Sequence, residues 1–246
     1  MDWTDQAIVL SAKKHGEHAA IVHLLTREYG IHAGLVRGGA GRRQRPIFQP
    51  GNLVHAHWRA RLPEHLGTLT CEPDQALGSA VLHDAARLAC VGSASTLLLR
   101  ALPEREPHGV IFDGLLVLLR AMRDDGPSEK NWPSVYVKWE LGLLQELGYG
   151  LDFTQCAATG VIDDLIYVSP KSGAAVSREA GRPYHDRLLP LPNFLLDGGA
   201  ADSVEAVLLG LRLTGYFLDA HVLGPAGGRL PDARIRLLHR LDKKAA

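Results

Sequence analysis

The chain has 246 residues, of which 46% are apolar, 22% charged and 6% aromatic, and its 27 Lys and Arg balance 27 Asp and Glu. That length allows two modest domains, or one with an insertion, and the apolar share excludes a disordered chain. No run reaches ~18 uncharged apolar residues, and the acidic start Met1-Asp2-Trp3-Thr4-Asp5 has no apolar segment behind it, which excludes a membrane span and a secretory signal. Three widely spaced cysteines (Cys71, Cys90 and Cys156) do not make a disulfide framework and fit a reducing compartment. The expectation is a cytoplasmic protein without a membrane partner. Its charge is unevenly spread: nine basic residues between Lys13 and Arg61 face only Glu17 and Glu28, a local excess of +7 that the rest of the chain cancels. A basic N-terminal third points to a polyanion.

The first 80 residues read as β. Ala7 to Leu10 and Ala19 to Leu25 are short apolar runs around the turn Lys13-Lys14-His15-Gly16-Glu17. Tyr29-Gly30 marks a turn before Ile31 to Val36. From Asn52 to Arg61 the pattern alternates, with Leu53, His55, His57 and Arg59 on one face and Val54, Ala56 and Trp58 on the other. Leu66 to Cys71 supplies a fifth strand, and five short strands predict a small barrel. Gly38-Gly39-Ala40-Gly41-Arg42-Arg43-Gln44-Arg45-Pro46 is an arginine-bearing loop between the third and fourth strands.

Helical spacing begins near Ala76. One helix runs to Pro103, a second from Pro107 to about Asp124 with a stop at Gly126-Pro127, and a third from Pro133 to Leu147 with Gly148 beyond its end. Residues 151–192 hold loops and a short β run, Leu165-Ile166-Tyr167-Val168. Asp202 with Glu205 predicts a capping box for a fourth helix to Leu223, and a last helix runs from Asp232 to about Leu241.

Catalytic signatures are missing. The glycine-rich loop is followed by arginines rather than Lys-Ser/Thr, and there is neither a Gly-x-Ser-x-Gly elbow nor a His-Glu-x-x-His pair. His55 and His57 share a face but have no third ligand nearby, and Cys156 has no companion cysteine at zinc spacing. A metal-dependent nuclease would need an acidic cluster for Mg²⁺ that the sequence does not offer. The basic stretch is the remaining signal. Lys13, Lys14, Arg37, Arg42, Arg43, Arg45, Arg59 and Arg61 are the candidate DNA-binding residues, with Arg59 and Arg61 expected to project from one strand face. Trp58, Tyr29 and Phe48 are possible stacking platforms, Trp58 being the better fit to the core. A second basic group, Arg229, Arg234, Arg236, Arg240, Lys243 and Lys244, marks the last helix.

The order of these parts resembles the RecO family over essentially the whole chain. The resemblance rests on Ala7-Ile8-Val9-Leu10 with Gly16-Glu17, Leu24-Leu25-Thr26-Arg27-Glu28-Tyr29-Gly30, Val36-Arg37-Gly38-Gly39 with Arg42-Arg43, and Phe48-Gln49-Pro50-Gly51-Asn52. Trp139-Glu140-Leu141-Gly142-Leu143-Leu144-Gln145-Glu146-Leu147-Gly148-Tyr149, followed by Leu151-Asp152, extends it. It implies an α+β protein: an N-terminal five-stranded OB-fold barrel over residues 1–78, a helical domain over 79–150 and 197–246, and a small zinc-ribbon-like insertion over 151–196. It also implies a non-enzymatic DNA repair and recombination mediator. Such a protein binds single- and double-stranded DNA, anneals complementary strands, recognises the SSB C-terminal tail and acts with RecR to load RecA, in a cytoplasmic, nucleoid-associated setting. An adaptor for acidic protein tails, with incidental DNA binding, is the alternative. Thr159, Ser177 and Ala180 stand where partners of Cys156 would be expected, so no metal or other cofactor is carried over.

Overall fold

The computed structural model describes residues 1–124 and 132–245. Five strands open the chain: β1 (Asp2–His15), β2 (Ala19–Thr26), β3 (Ile31–Val36), β4 (Leu53–Arg59) and β5 (Thr68–Gln75). They close into a barrel in the order β1-β2-β3-β5-β4, an OB-type arrangement. β1 extends well beyond the apolar run at Ala7–Leu10 because it serves two neighbours. Asp2 to Ile8 pair antiparallel with β4, and Ala7 to His15 pair with β2. A register shift between Val9 and Ser11 bends the strand between these partners, as a bulge does.

Alternation explains the interior. Val54, Ala56 and Trp58 point inward and His55, His57 and Arg59 outward; Leu53 departs from the expected face and is buried. Ala7, Val9, Val22, Leu24, Val36 and Leu69 complete this core, and Phe48 enters it from the loop between β3 and β4. β1 is buried on both faces from Ala7 to Leu10 because the helix Ala85–Ala101 packs on its outer side. The turn into β3 requires Gly30: its φ is +66°, and a Cβ there would lie 1.9 Å from the Glu106 carbonyl oxygen.

The expected helix from Ala76 to Pro103 is two helices, α1 (Leu77–Ala80) and α2 (Ala85–Ala101). Asp84 starts the second by accepting the N–H groups of Ala86 and Arg87 at 2.7 and 3.1 Å. The apolar spacing continues through this break, so periodicity alone does not reveal it. α3 spans Gly109–Arg123 and α4 Trp132–Glu146, with Gly148 beyond α4 at φ +83°. The expected stop at Gly126-Pro127 lies outside the described residues. Next come β6 (Leu165–Val168), β7 (Ala175–Ser177), the short helix α5 (Arg178–Gly181) and β8 (Leu189–Pro190); the strands form a sheet in the order β7-β6-β8.

α6 (Val204–Phe217) is capped by Ser203, whose hydroxyl accepts the Ala206 N–H, rather than by Asp202; Glu205 still occupies the favourable first turn. The helical path continues as a wider turn to Leu223. By length and composition Val204–Leu223 could cross a membrane, with mean hydropathy 1.3, but 56% of its most apolar 18-residue window is buried within the protein. α6 packs on α4, where the Thr214 hydroxyl donates to the buried Glu140 carboxylate. α7 covers Asp232–Ala245. The chain divides into two compact units, Met1–Asp125 with Pro231–Leu237, and Gly126–Leu230 with Leu238–Ala246.

Candidate nucleic-acid interface

Strand register places the candidate basic residues around the barrel. Lys14 is opposite Ala20, and Ala20 is opposite Val36, which directly precedes Arg37. Next to Val36, Leu35 registers with Thr68, and Thr68 registers with Arg59. Four strand-to-strand steps of ~4.8 Å therefore link Lys14 to Arg59, an arc of roughly 20 Å along one rim. β4 ends at Arg59, and the N–H of Ala60 donates to the Met1 carbonyl at 3.0 Å. Arg61 thus lies in the following turn rather than on the same strand face as Arg59. All eight candidates are exposed.

The arginine loop leaves from this rim and has a fixed root. The N–H of Gly51 donates to the Val9 carbonyl at 2.8 Å, and the Val9 N–H donates to the Asn52 carbonyl at 2.9 Å. The buried Asn52 amide donates to the Pro46 carbonyl at 2.9 Å and to the Ser79 hydroxyl at 3.2 Å, and its oxygen accepts the Ser79 N–H at 3.0 Å. With Phe48 in the core, the polar tip is displayed from an anchored base. Clefts flank the loop on both sides. Lys14 and Arg45 line one of ≈ 390 Å³, and Arg37 and Gln44 line another of ≈ 330 Å³. Cys71 also lines the second, where burial pushes its thiol up to about 12 and keeps it neutral. Lys13 turns the other way, into a cavity of ≈ 560 Å³ shared with His23 and Glu104. Burial holds the His23 imidazole below its ordinary value there.

Of the three possible stacking platforms, Phe48 and Trp58 are each 2% exposed and belong to the core. Trp58 donates its indole N–H to the Leu66 carbonyl at 3.0 Å. Tyr29 keeps a surface, at 39% exposed, and its ring stacks on Trp3 at 4.8 Å and 9°. Trp3 stacks in turn on Trp58 at 5.9 Å and 15°, and His32 meets the rings edge-on. Trp3 is the residue the sequence reading missed. Its signal is the cross-strand pair Trp3↔Trp58, visible only once β1 is paired with β4.

The second basic group is divided: Arg234 is 1% exposed, Arg229, Arg236, Arg240 and Lys243 are exposed, and the Lys244 side chain lies outside the described set. His55 and His57 face acids, at 3.5 Å from Asp74 and 4.0 Å from Asp2. Among the described residues no group of three or more His, Cys, Asp or Glu could hold a metal ion.

Cys156, 2% exposed, accepts the Ser177 N–H on its Sγ at 3.3 Å. Burial pushes this thiol up, but the neighbouring Ser177, Thr159 and Ala158 outweigh it and hold it down to about 6. One thiol, two hydroxyls and the methyl of Ala180 are not a zinc ligand set, which requires four thiolate, imidazole or carboxylate donors. These residues do not fit the metal.

The fold is that of an OB-barrel protein with an attached helical part. Residues 1–73 match the family described as Recombination protein O N terminal, and residues 82–229 the one described as Recombination protein O C terminal. The protein from Rhodospirillum centenum named DNA repair protein RecO is 52% identical over 245 residues, spanning 99% of this chain and 96% of that protein. Proteins of the same name from Caulobacter vibrioides (strain NA1000) and Rhodospirillum rubrum are 49% and 47% identical. The first alignment spans 98% of both chains; the second spans all of this chain and 98% of the relative. The chain belongs to the RecO family.

Proposed function

We propose that this chain is a non-enzymatic mediator of DNA repair and homologous recombination. It binds single- and double-stranded DNA along the barrel rim, anneals complementary strands and, with RecR, helps load RecA on SSB-coated single strands. The observation that carries this reading is the rim itself: a closed strand register gathers exposed Lys14, Arg37 and Arg59, and an anchored loop adds three more arginines beside two clefts. Such a surface neutralises phosphates without covalent chemistry, so two strands can approach one another on it. In this reading residues 1–78 are the DNA-binding domain, 79–150 with 197–246 the helical domain, and 151–196 its insertion. Tyr29 is the base-stacking surface, braced from behind by Trp3. Recognition of the SSB tail and of RecR rests on family membership, and an acidic, apolar-ended tail calls for a basic-rimmed apolar groove.

The test is anisotropy of a labelled single-stranded oligonucleotide across a salt series, with wild type and the Arg42→Ala/Arg43→Ala/Arg45→Ala variant. Affinity falls steeply with salt for wild type, and removal of three contacts lowers the slope by about 2. Unchanged DNA binding in the variant, with loss of binding to acidic protein tails, would instead make this surface an adaptor.

A further inference from the structure

We infer that the residue 151–196 lobe is closed without metal by a hydrogen-bonded node on Cys156, set in the frame of a two-knuckle zinc site whose other three positions, Thr159, Ser177 and Ala180, carry no ligand. The frame is visible in spacing and backbone. Cys156-Ala157-Ala158-Thr159-Gly160 and Ser177-Arg178-Glu179-Ala180-Gly181 share one pattern, two ligand positions separated by two residues and followed by glycine. In the first arm Gly160 has φ +74° and donates its N–H back to the Cys156 carbonyl at 2.8 Å, which makes the tight turn a knuckle needs. In the second arm a Cβ on Gly181 would meet the Tyr167 ring at 2.5 Å, so glycine is required there for close packing. The arms are tied together: the Ala157 N–H donates to the Ala175 carbonyl at 2.9 Å, on the strand that leads into Ser177.

What fills the centre differs from a metal site. In a thiolate site, sulfur atoms bind the ion and the surrounding N–H groups orient them. Here one buried sulfur on the first arm accepts the N–H of Ser177 on the second at 3.3 Å. The node therefore does the ion's work of joining residues 21 positions apart. It also explains how the turns persist although the ligands are missing.

The experiment compares the full-length wild type with the Thr159→Cys/Ser177→Cys/Ala180→Cys variant under reducing conditions, using Zn²⁺ and Co²⁺ as probes. Wild type is expected to contain no stoichiometric zinc and to melt at the same temperature with and without a strong chelator. The triple variant is expected to take one equivalent of Co²⁺, with the absorption of a tetrahedral thiolate complex, and to exchange it for Zn²⁺. Stoichiometric zinc in wild type, or a chelator-dependent melting temperature, would overturn the metal-free node. A folded triple variant that takes no Co²⁺ would overturn the knuckle frame. Amide exchange keeps the node testable if the triple variant does not fold. Cys156→Ala should speed exchange of the Ser177 amide roughly tenfold while Cys156→Ser preserves it, because a hydroxyl still accepts. Unchanged exchange in Cys156→Ala would refute the node.

Discussion

The barrel rim and the residue 151–196 lobe both turn on glycine, but they keep their shape by different means. In the barrel a closed ladder of strands surrounds a core that includes Trp58 and Phe48, and side chains at the rim are displayed on a frame to which they contribute little. In the lobe three short strands enclose a few apolar residues, among them Leu165, Val168 and Ala175, and one polar node joins distant turns. Exposed charged residues at the rim can therefore change with little cost to the fold, whereas in the lobe Cys156 and Ser177 themselves make the bond that joins its turns. Position in the fold, more than residue type, decides which polar groups are structural.

Trp58→Ala should break this comparison most strongly. It removes a large ring from the barrel core and the support beneath Trp3 and Tyr29, and a loss of ~3–5 kcal/mol in urea unfolding is expected. Leu165→Ala in the lobe should cost about 2 kcal/mol, near the lower end for a buried leucine, because a thin core collapses more easily around the vacancy. Its effect should concentrate in amide exchange of β6 and β7. Asn52→Ala should cost ~1–3 kcal/mol by leaving the half-buried Ser79 N–H without its Asn52 partner. It should also weaken oligonucleotide binding although Asn52 itself is buried, which separates anchoring of the loop from contact.

A pH experiment sharpens the same contrast inside the barrel. Burial holds the His32 imidazole below its ordinary 6.5, against the raising effect of its hydrogen bond to the Tyr29 carbonyl. The unfolded chain therefore takes up this proton first as pH falls. The contribution of neutral His32 is intact above its unfolded value of 6.5 and is lost progressively below it. Urea midpoints of wild type and His32→Gln should converge on acidification from neutral pH to about 5; midpoints that stay parallel would count against a neutral, buried ring. The smallest stability effect is expected for Arg42→Ala/Arg43→Ala/Arg45→Ala, within ~0.5 kcal/mol of wild type, since these exposed groups hold nothing together.

Much of this architecture was legible in the residues. Alternation in β4 from Val54 on, the turn at Tyr29-Gly30, the β run at Leu165–Val168 and the glycine beyond α4 follow from interactions within a few residues, and each stands where local chemistry put it. The break at Asp84 is hidden because the apolar period runs through it, and at the start of α6 Asp202 and Ser203 compete for the same capping role. The zinc question was half legible: the lack of companion cysteines was plain, but the donors around Cys156 were not.

By itself the sequence determined the class of fold, the concentration of positive charge in the first third and the departure from a cysteine ligand set, all of which are properties of composition or of near neighbours. Tertiary structure alone decided that β1 is shared between β2 and β4, that Trp3 lies against Trp58, and that Lys14, Arg37 and Arg59 share a rim. It likewise decided that Ser177 meets the sulfur of Cys156. These relations join residues tens of positions apart, and hydrogen bonds between strands and turns bring together what no local pattern along the chain records.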